Sequence, residues 1–137
     1  MRLVFTDNLQ DAPSALKAIY QLVDQMAPHI LLSEIRTVAA GELWLSPCYQ
    51  RASVVFGFSW QPDEPQVMKR LCSMVEKVLE PFEPRPHWGK LFCMESGDVR
   101  RKYDRINDFQ RMVEEEYDPD GKFRNEFLDR YIFSNVH

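Results

Sequence analysis

Two short stretches of the sequence gather side chains able to handle a polar ligand. In Ser33-Glu34-Ile35-Arg36-Thr37 a carboxylate and a guanidinium stand two residues apart. In an extended chain that spacing puts both on one face, with Ser33, Ile35 and Thr37 on the other. Ionised groups on a sheet face meet either water or a polar ligand, and an exposed ion pair of this kind is worth at most about 1 kcal/mol. The second stretch, Arg85-Pro86-His87-Trp88-Gly89-Lys90, sets a stiff proline, an imidazole, an indole, a glycine and an ammonium group side by side. Gly89 would let a backbone or a ligand come close. The same run also reads as a proline-rich connection whose Trp88 plugs the core and whose Lys90 points into water.

Other reactive side chains stand apart. His29 and His137 have neither a second histidine nor a carboxylate at metal-ligand spacing and read as surface residues. Cys48, Cys72 and Cys93 are 24 and 21 positions apart, which matches neither a disulfide framework nor a CxxC metal site. Reduced, mostly buried thiols and no metal are expected. The five glycines never occur as GxG, so the usual phosphate-cradling loops are missing. No Ser or Cys lies in a GxSxG-like setting, which argues against a nucleophilic hydrolase. The run Glu114-Glu115-Glu116 reads as a solvated helix end.

These groups belong to a chain of 137 residues, about one domain's worth. Hydrophobic residues make up 45% and aromatic ones 12%, enough to build a core. Lys and Arg number 17 against 21 Asp and Glu, a net charge of −4, so the basic footprint of a nucleic-acid binder is missing. The longest apolar runs, Ile30 to Leu32 and Val54 to Phe58, fall far short of the roughly 18 residues of a membrane-spanning helix. The start, MRLVFTDNLQ, lacks the apolar stretch and cleavage site of a signal peptide. A cytoplasmic protein is expected.

The elements that must position the candidate groups follow from periodicity. Leu3 and Phe5 suggest a short first strand. Asp11 is placed to cap a helix with Pro13 in its first turn and Leu16, Ile19, Tyr20, Val23 and Met26 along one side, ended by Pro28. Ile30 to Val38 reads as a strand, followed by a short extended piece at Leu43 to Leu45. Val54, Phe56, Phe58 and Trp60 alternate with smaller residues, the clearest strand pattern in the chain. Met68, Leu71, Val75, Val78, Leu79 and Phe82 form the stripe of a second helix, capped by Asp63 and stopped by Pro81 and Pro84. His87 to Met94 reads as a last strand, Val99 to Glu116 as an amphipathic helix, and Asp118-Pro119-Asp120-Gly121 as a turn. Phe123, Phe127, Leu128, Tyr131 and Ile132 supply a docked tail. The order predicts an α+β fold: a ferredoxin-like βαββαβ antiparallel sheet with helices on one face and a C-terminal helical tail. The other face is left for a ligand or a partner.

Taken together, SEIRTVA, ELWLSPCYQR, FGFSW, RPHWGKLF and DPDGKFRNEFL resemble, in this order, the C-terminal part of the flavin-dependent sugar-alcohol and aldonolactone oxidases. That family includes the alditol (xylitol), gulonolactone and D-arabinono-1,4-lactone oxidases, and the match covers nearly the whole chain. The form EIRT, with WGK rather than WAK in the later motif, looks more like the alditol oxidases. The resemblance implies that the intact enzyme binds FAD, commonly through a histidine link, in an N-terminal domain with glycine-rich loops. None of that domain is expected within 1–137, which looks like a single substrate-binding (cap) domain whose sheet covers the flavin ring.

The resemblance also implies site residues. Glu34, Arg36, Ser59 and Lys90 fall on the family's pocket positions, with Ser59 where alditol oxidases usually carry Thr, so the hydroxyl is kept and the methyl lost. Arg36 and Lys90 are the candidate catalytic cations, stabilising negative charge on the substrate hydroxyl oxygen as the alcohol is oxidised. Glu34 would hold Arg36 or accept a hydrogen bond from a polyol, and Ser59 would bind another hydroxyl. His87 and Trp88 complete the substrate-binding set as supports.

Two functions fit this reading. The first is the substrate-binding part of an oxidase that takes CH–OH groups of polyols or sugar lactones to the carbonyl, with oxygen as acceptor and peroxide released. Its partner is an FAD-binding domain in cis or in trans, and this chain alone would be inactive. The alternative is a stand-alone, non-enzymatic ferredoxin-like module that binds a small ligand or pairs through its open sheet face, since oxidation needs an acceptor that this chain does not carry.

Overall fold

Alternating apolar side chains set the sheet. In the computed structural model, which describes residues 2–61 and 64–133, β1 (Arg2–Asn8), β2 (Ile30–Val38), β3 (Ser53–Trp60) and β4 (Arg85–Pro86) pair antiparallel in the order β2-β3-β1-β4. This is the split βαβ arrangement, with β3 inserted between β1 and β2, so the α+β ferredoxin-like fold is observed.

The register sorts the side chains. Phe5 lies opposite Phe56, which lies opposite Ile35, and Leu3 opposite Phe58, which lies opposite Ser33. This face packs beneath α1 (Ala12–Tyr20) and α3 (Pro65–Leu79), where Ala15, Ile19, Met68, Leu71, Val75 and Leu79 join one core with the strand aromatics. Val4, Gly57 and Glu34 form a row on the opposite face, with Thr6, Val55 and Arg36 on one side of it and Arg2, Ser59 and Leu32 on the other. A register shift between Ile30 and Leu32 leaves Leu31 as the extra, exposed residue.

Several elements differ from the periodicity reading. The first helix is interrupted at Gln21 and Leu22 and resumes as α2 (Val23–Met26), and Asp11 makes no side-chain cap. Asn8 instead caps the preceding single turn, accepting from Gln10 N. The proposed cap Asp63 lies outside the described residues, as does His137. Leu43 to Leu45 adds no strand; Gly41 and Tyr49 pair at the base of a loop that ties residues 39–52 back on themselves. The last strand is not His87 to Met94 but Arg85–Pro86, because the chain turns at once, Lys90 N donating to His87 O. His87 N still donates to Val4 O on β1, and after the turn Leu91 N returns to β1 at Arg2 O.

The long C-terminal helix is also divided, into α4 (Ser96–Arg101) and α5 (Ile106–Met112), because Tyr103 leaves the helical path. Its ring is buried and its hydroxyl donates to Pro86 O at 2.9 Å. A wide turn at Val113–Tyr117 carries the acidic run, which is exposed as expected. Asn125 then caps α6 (Glu126–Tyr131) by accepting from Leu128 N. Tyr131 and Ile132 dock the tail, whereas Phe123 stays exposed.

One residue runs against the apolar pattern of β1. Asp7 continues the row of Leu3 and Phe5, is fully buried, and neither carboxyl oxygen has a hydrogen-bond partner among the described residues. Burial lifts its pKa to about 7, despite the opposing pull of Arg51 and Lys102. An unfolded aspartate ionises near pH 4, so between about pH 4 and 7 the unfolded chain releases a proton that the folded chain holds, and stability falls as pH rises. Asp7→Asn mimics the protonated carboxyl. It is expected to stabilise the fold by roughly 2–4 kcal/mol at pH 8 and by little at pH 4.5, as read by urea denaturation at the two values; equal effects at both would contradict the assignment.

Candidate functional site

On the sheet face away from α1 and α3, Glu34 and Arg36 stand two residues apart on β2, as the strand periodicity requires. Glu34 reaches across β3 and its carboxylate is shared: one oxygen contacts the guanidinium of Arg2 and the other that of Arg36. The carboxylate lies over Gly57, where an added Cβ would come within 2.8 Å of Glu34 Cγ and Oε1. A residue without a side chain is therefore needed on β3 for this bridge to form. With two guanidiniums and one carboxylate the cluster keeps a positive charge, and the Arg36 side chain is 61% exposed. It is available to an incoming polar group.

Ser59 belongs to the next row, between Arg2 on β1 and Leu32 on β2. His87 continues the Glu34–Gly57–Val4 row, its backbone N–H donating to Val4 O, but three strand spacings, about 14 Å, separate it from Glu34. Its Nδ1 accepts from Gly89 N at 3.1 Å. Lys90 is exposed beside the Leu91–Arg2 hydrogen bond, at the Ser59 end of the sheet, and its ammonium has no ion-pair partner among the described residues. The structure thus brings Glu34 and Arg36 into contact, places Ser59 in the adjoining row, and sets His87 and Lys90 on the far side of β1.

Trp88 has a different setting. Its indole N–H donates to Leu45 O at 2.8 Å, its ring lies 4.7 Å from that of Tyr103, and Phe127 meets it edge-on. It joins the 39–52 loop to the C-terminal tail. Arg85 does related work: its guanidinium donates to Lys102 O, Pro47 O and Tyr49 O. Together they close the β4 side of this face, where Val4, Thr6 and Ser53 are buried, and leave the β2 side open at Leu32 and Arg36.

Arg2 and Gly57 were not identified from the sequence. Only the strand pairing reveals them, because both act through Glu34 on another strand. His29 is half-buried, and its carbonyl accepts from Gln61 N. The cysteines are free, but only Cys72 is fully buried, and Cys72 and Cys93 lie close together with Glu76.

Comparison with known proteins gives a consistent picture. Residues 6–131 match the family model described as D-arabinono-1,4-lactone oxidase. An alditol oxidase from Streptomyces sp. is 41% identical over 117 residues, covering 85% of this chain and 28% of that protein. An L-gulonolactone oxidase from Scyliorhinus torazame is 30% identical over 102 residues, covering 73% and 23% respectively. One from Mus musculus is 26% identical over 131 residues, 93% of this chain and 29% of its own length. The chain therefore spans about a quarter of the length of these relatives. Among the described residues no helix is long and apolar enough to cross a membrane.

Two substitutions test the geometry. Trp88→Ala removes the Leu45 bond and the packing with Tyr103 and Phe127, and is expected to cost about 3 kcal/mol in urea denaturation. Gly57→Ala is expected to cost no more than about 1–2 kcal/mol while expelling the Glu34 carboxylate. The side-chain NMR signals of Arg2 and Arg36 should shift together; unmoved signals would show that Glu34 does not depend on Gly57.

Proposed function

The chain belongs to the D-arabinono-1,4-lactone oxidase family, and we propose that it forms the substrate-binding wall of an FAD-dependent oxidase acting on alditols or sugar lactones. The observation that carries this reading is the shared open face of Glu34, Arg36 and Ser59, which offers a cation, an anion and a hydroxyl to a ligand rich in hydroxyl groups. The 41% identity with an alditol oxidase supports an open-chain polyol over a lactone.

The five glycines form no phosphate loop, and Gly121 alone among the described ones has a positive φ, in an exposed turn. FAD would therefore be held by a separate domain, in cis or in trans, from which it would take two electrons and the carbon-bound hydrogen of the substrate and pass them to oxygen. The residues of this chain bind and orient the alcohol. Arg36 and Lys90 stabilise the negative charge that develops on the hydroxyl oxygen as its proton leaves. Glu34 fixes Arg36 and accepts a hydrogen bond from a neighbouring hydroxyl, and Ser59 holds another. His87 supports the turn that carries Lys90, while Trp88 fixes the loop and tail behind it.

The test uses the intact oxidase containing this chain, assayed for peroxide with xylitol and sorbitol. Arg36→Ala and Lys90→Ala are each expected to lower kcat/KM by about 10²–10³-fold, the effect of removing one charge-stabilising donor. Turnover equal to that of the unmodified enzyme in both variants would overturn the assigned roles.

A second reading, a pairing module without catalysis, is favoured by the outer edge of β2. That strand is terminal in the sheet and exposes Leu31, Leu32 and Ile35, and an apolar groove of about 350 Å³ runs between it and Leu16, Tyr20 and Val23. An unpaired apolar edge of this length invites association. Light scattering decides: a stable dimer dissociated by Ile35→Lys supports this reading, and a monomer at all concentrations rules it out.

A further inference from the structure

We propose that Cys72, Glu76 and Cys93 form a binding site for a thiophilic divalent cation, zinc being the ion their chemistry suits. The site is independent of the Glu34–Arg36 face. Cys72 and Glu76 are four residues apart on α3, one above the other on a single helix face. Cys93 comes from the segment that follows the Lys90 turn. One ligand atom from each of these residues lies within 4.8 Å of the others.

The donors are already held in place. Glu76 Oε1 accepts the Cys93 backbone N–H at 2.6 Å and the Cys72 thiol at 3.6 Å, and Cys93 Sγ lies 3.8 Å from Lys69 O. Tetrahedral zinc, with bonds of about 2.3 Å to sulfur and 2.0–2.2 Å to oxygen, needs ligand atoms roughly 3.5–3.8 Å apart. Small side-chain rotations meet that requirement. Two sulfurs and one carboxylate favour a soft ion over magnesium or calcium.

Cys72 is buried and Glu76 and Cys93 are half-buried beside it, so the three donors form a corner with one open side. Glu76 has no ion-pair partner among the described residues. As the ion binds, two S–H bonds break, two metal–sulfur bonds form, and two protons pass to solvent. Access exists, because Glu76 and Cys93 line a polar cavity of about 950 Å³ that also includes Ser73, Glu95, Asp98 and Lys102. Water from this cavity completes the coordination. A bound ion would clip the segment carrying Lys90 to α3.

The experiment titrates the reduced full chain with cobalt(II), followed by zinc(II). Expected are one equivalent of cobalt with thiolate-to-metal charge-transfer absorption, its loss on adding one equivalent of zinc, and a higher Tm with zinc. Cys72→Ser and Cys93→Ser should each weaken binding by at least about 100-fold, and Glu76→Gln by about 10-fold or more. Cys48→Ser should leave it unchanged. Alkylation of the unmutated protein read by mass spectrometry gives a check that needs no variant: zinc should protect Cys72 and Cys93 but not Cys48. No thiolate–cobalt absorption at equimolar metal, or undiminished absorption in both Cys72→Ser and Cys93→Ser, would overturn the site, as would zinc protection of Cys48 alone.

Discussion

The register of β3 between β1 and β2 decides what each face of this sheet can do. Phe5 opposite Phe56 and Phe58 opposite Leu3 give the helices an apolar floor. The same pairing places Gly57 between Val4 and Glu34, and so lets one carboxylate reach from the edge strand to Arg2 on the second strand over. A slip by one residue would turn Glu34 and Arg36 toward α1 and bring Ile35 to the open face. The apolar burial on one side therefore holds the ionic arrangement on the other. The Arg2–Glu34–Arg36 bridge, partly exposed, contributes little to stability itself.

The two halves of the open face have different work. Toward β4, Arg85 takes up three backbone carbonyls and Trp88 a fourth, so the 39–52 loop and the Tyr103 segment are fixed against the sheet. Backbone carbonyls buried by a loop need such donors. Toward β2 none of the described residues covers Leu32 or Arg36. On the function proposed above, the closed half would brace a pocket wall and the open charged half would face the substrate.

Much of this was legible in the sequence, and the exceptions have physical causes. The β3 alternation and the α3 stripe read directly because burial on one face imposes periodicity. The shared face of Glu34 and Arg36 followed from their spacing alone. Arg2 and Gly57 did not, since their roles arise from pairing across strands. The fourth strand was placed too late, because Pro86 can occupy an edge position and the turn at His87–Lys90 is held by a backbone bond and by Gly89 N donating to His87 Nδ1, neither of which shows in strand periodicity. Tyr103 looked like one more apolar position of a continuous helix; its bond to Pro86 breaks that helix. Cys72 and Cys93 are distant in sequence and meet only through packing of α3 against the returning chain.

The central claim is that the open face of Glu34, Arg36 and Ser59, reached by Lys90 from beyond β1, receives the substrate. A crystal structure of the intact oxidase with bound xylitol tests it most directly. The account predicts polyol hydroxyls within hydrogen-bonding distance of the Arg36 guanidinium, the Glu34 carboxylate, the Ser59 hydroxyl and the Lys90 ammonium. Xylitol bound elsewhere, with the Arg2–Glu34–Arg36 bridge facing only water, would contradict it.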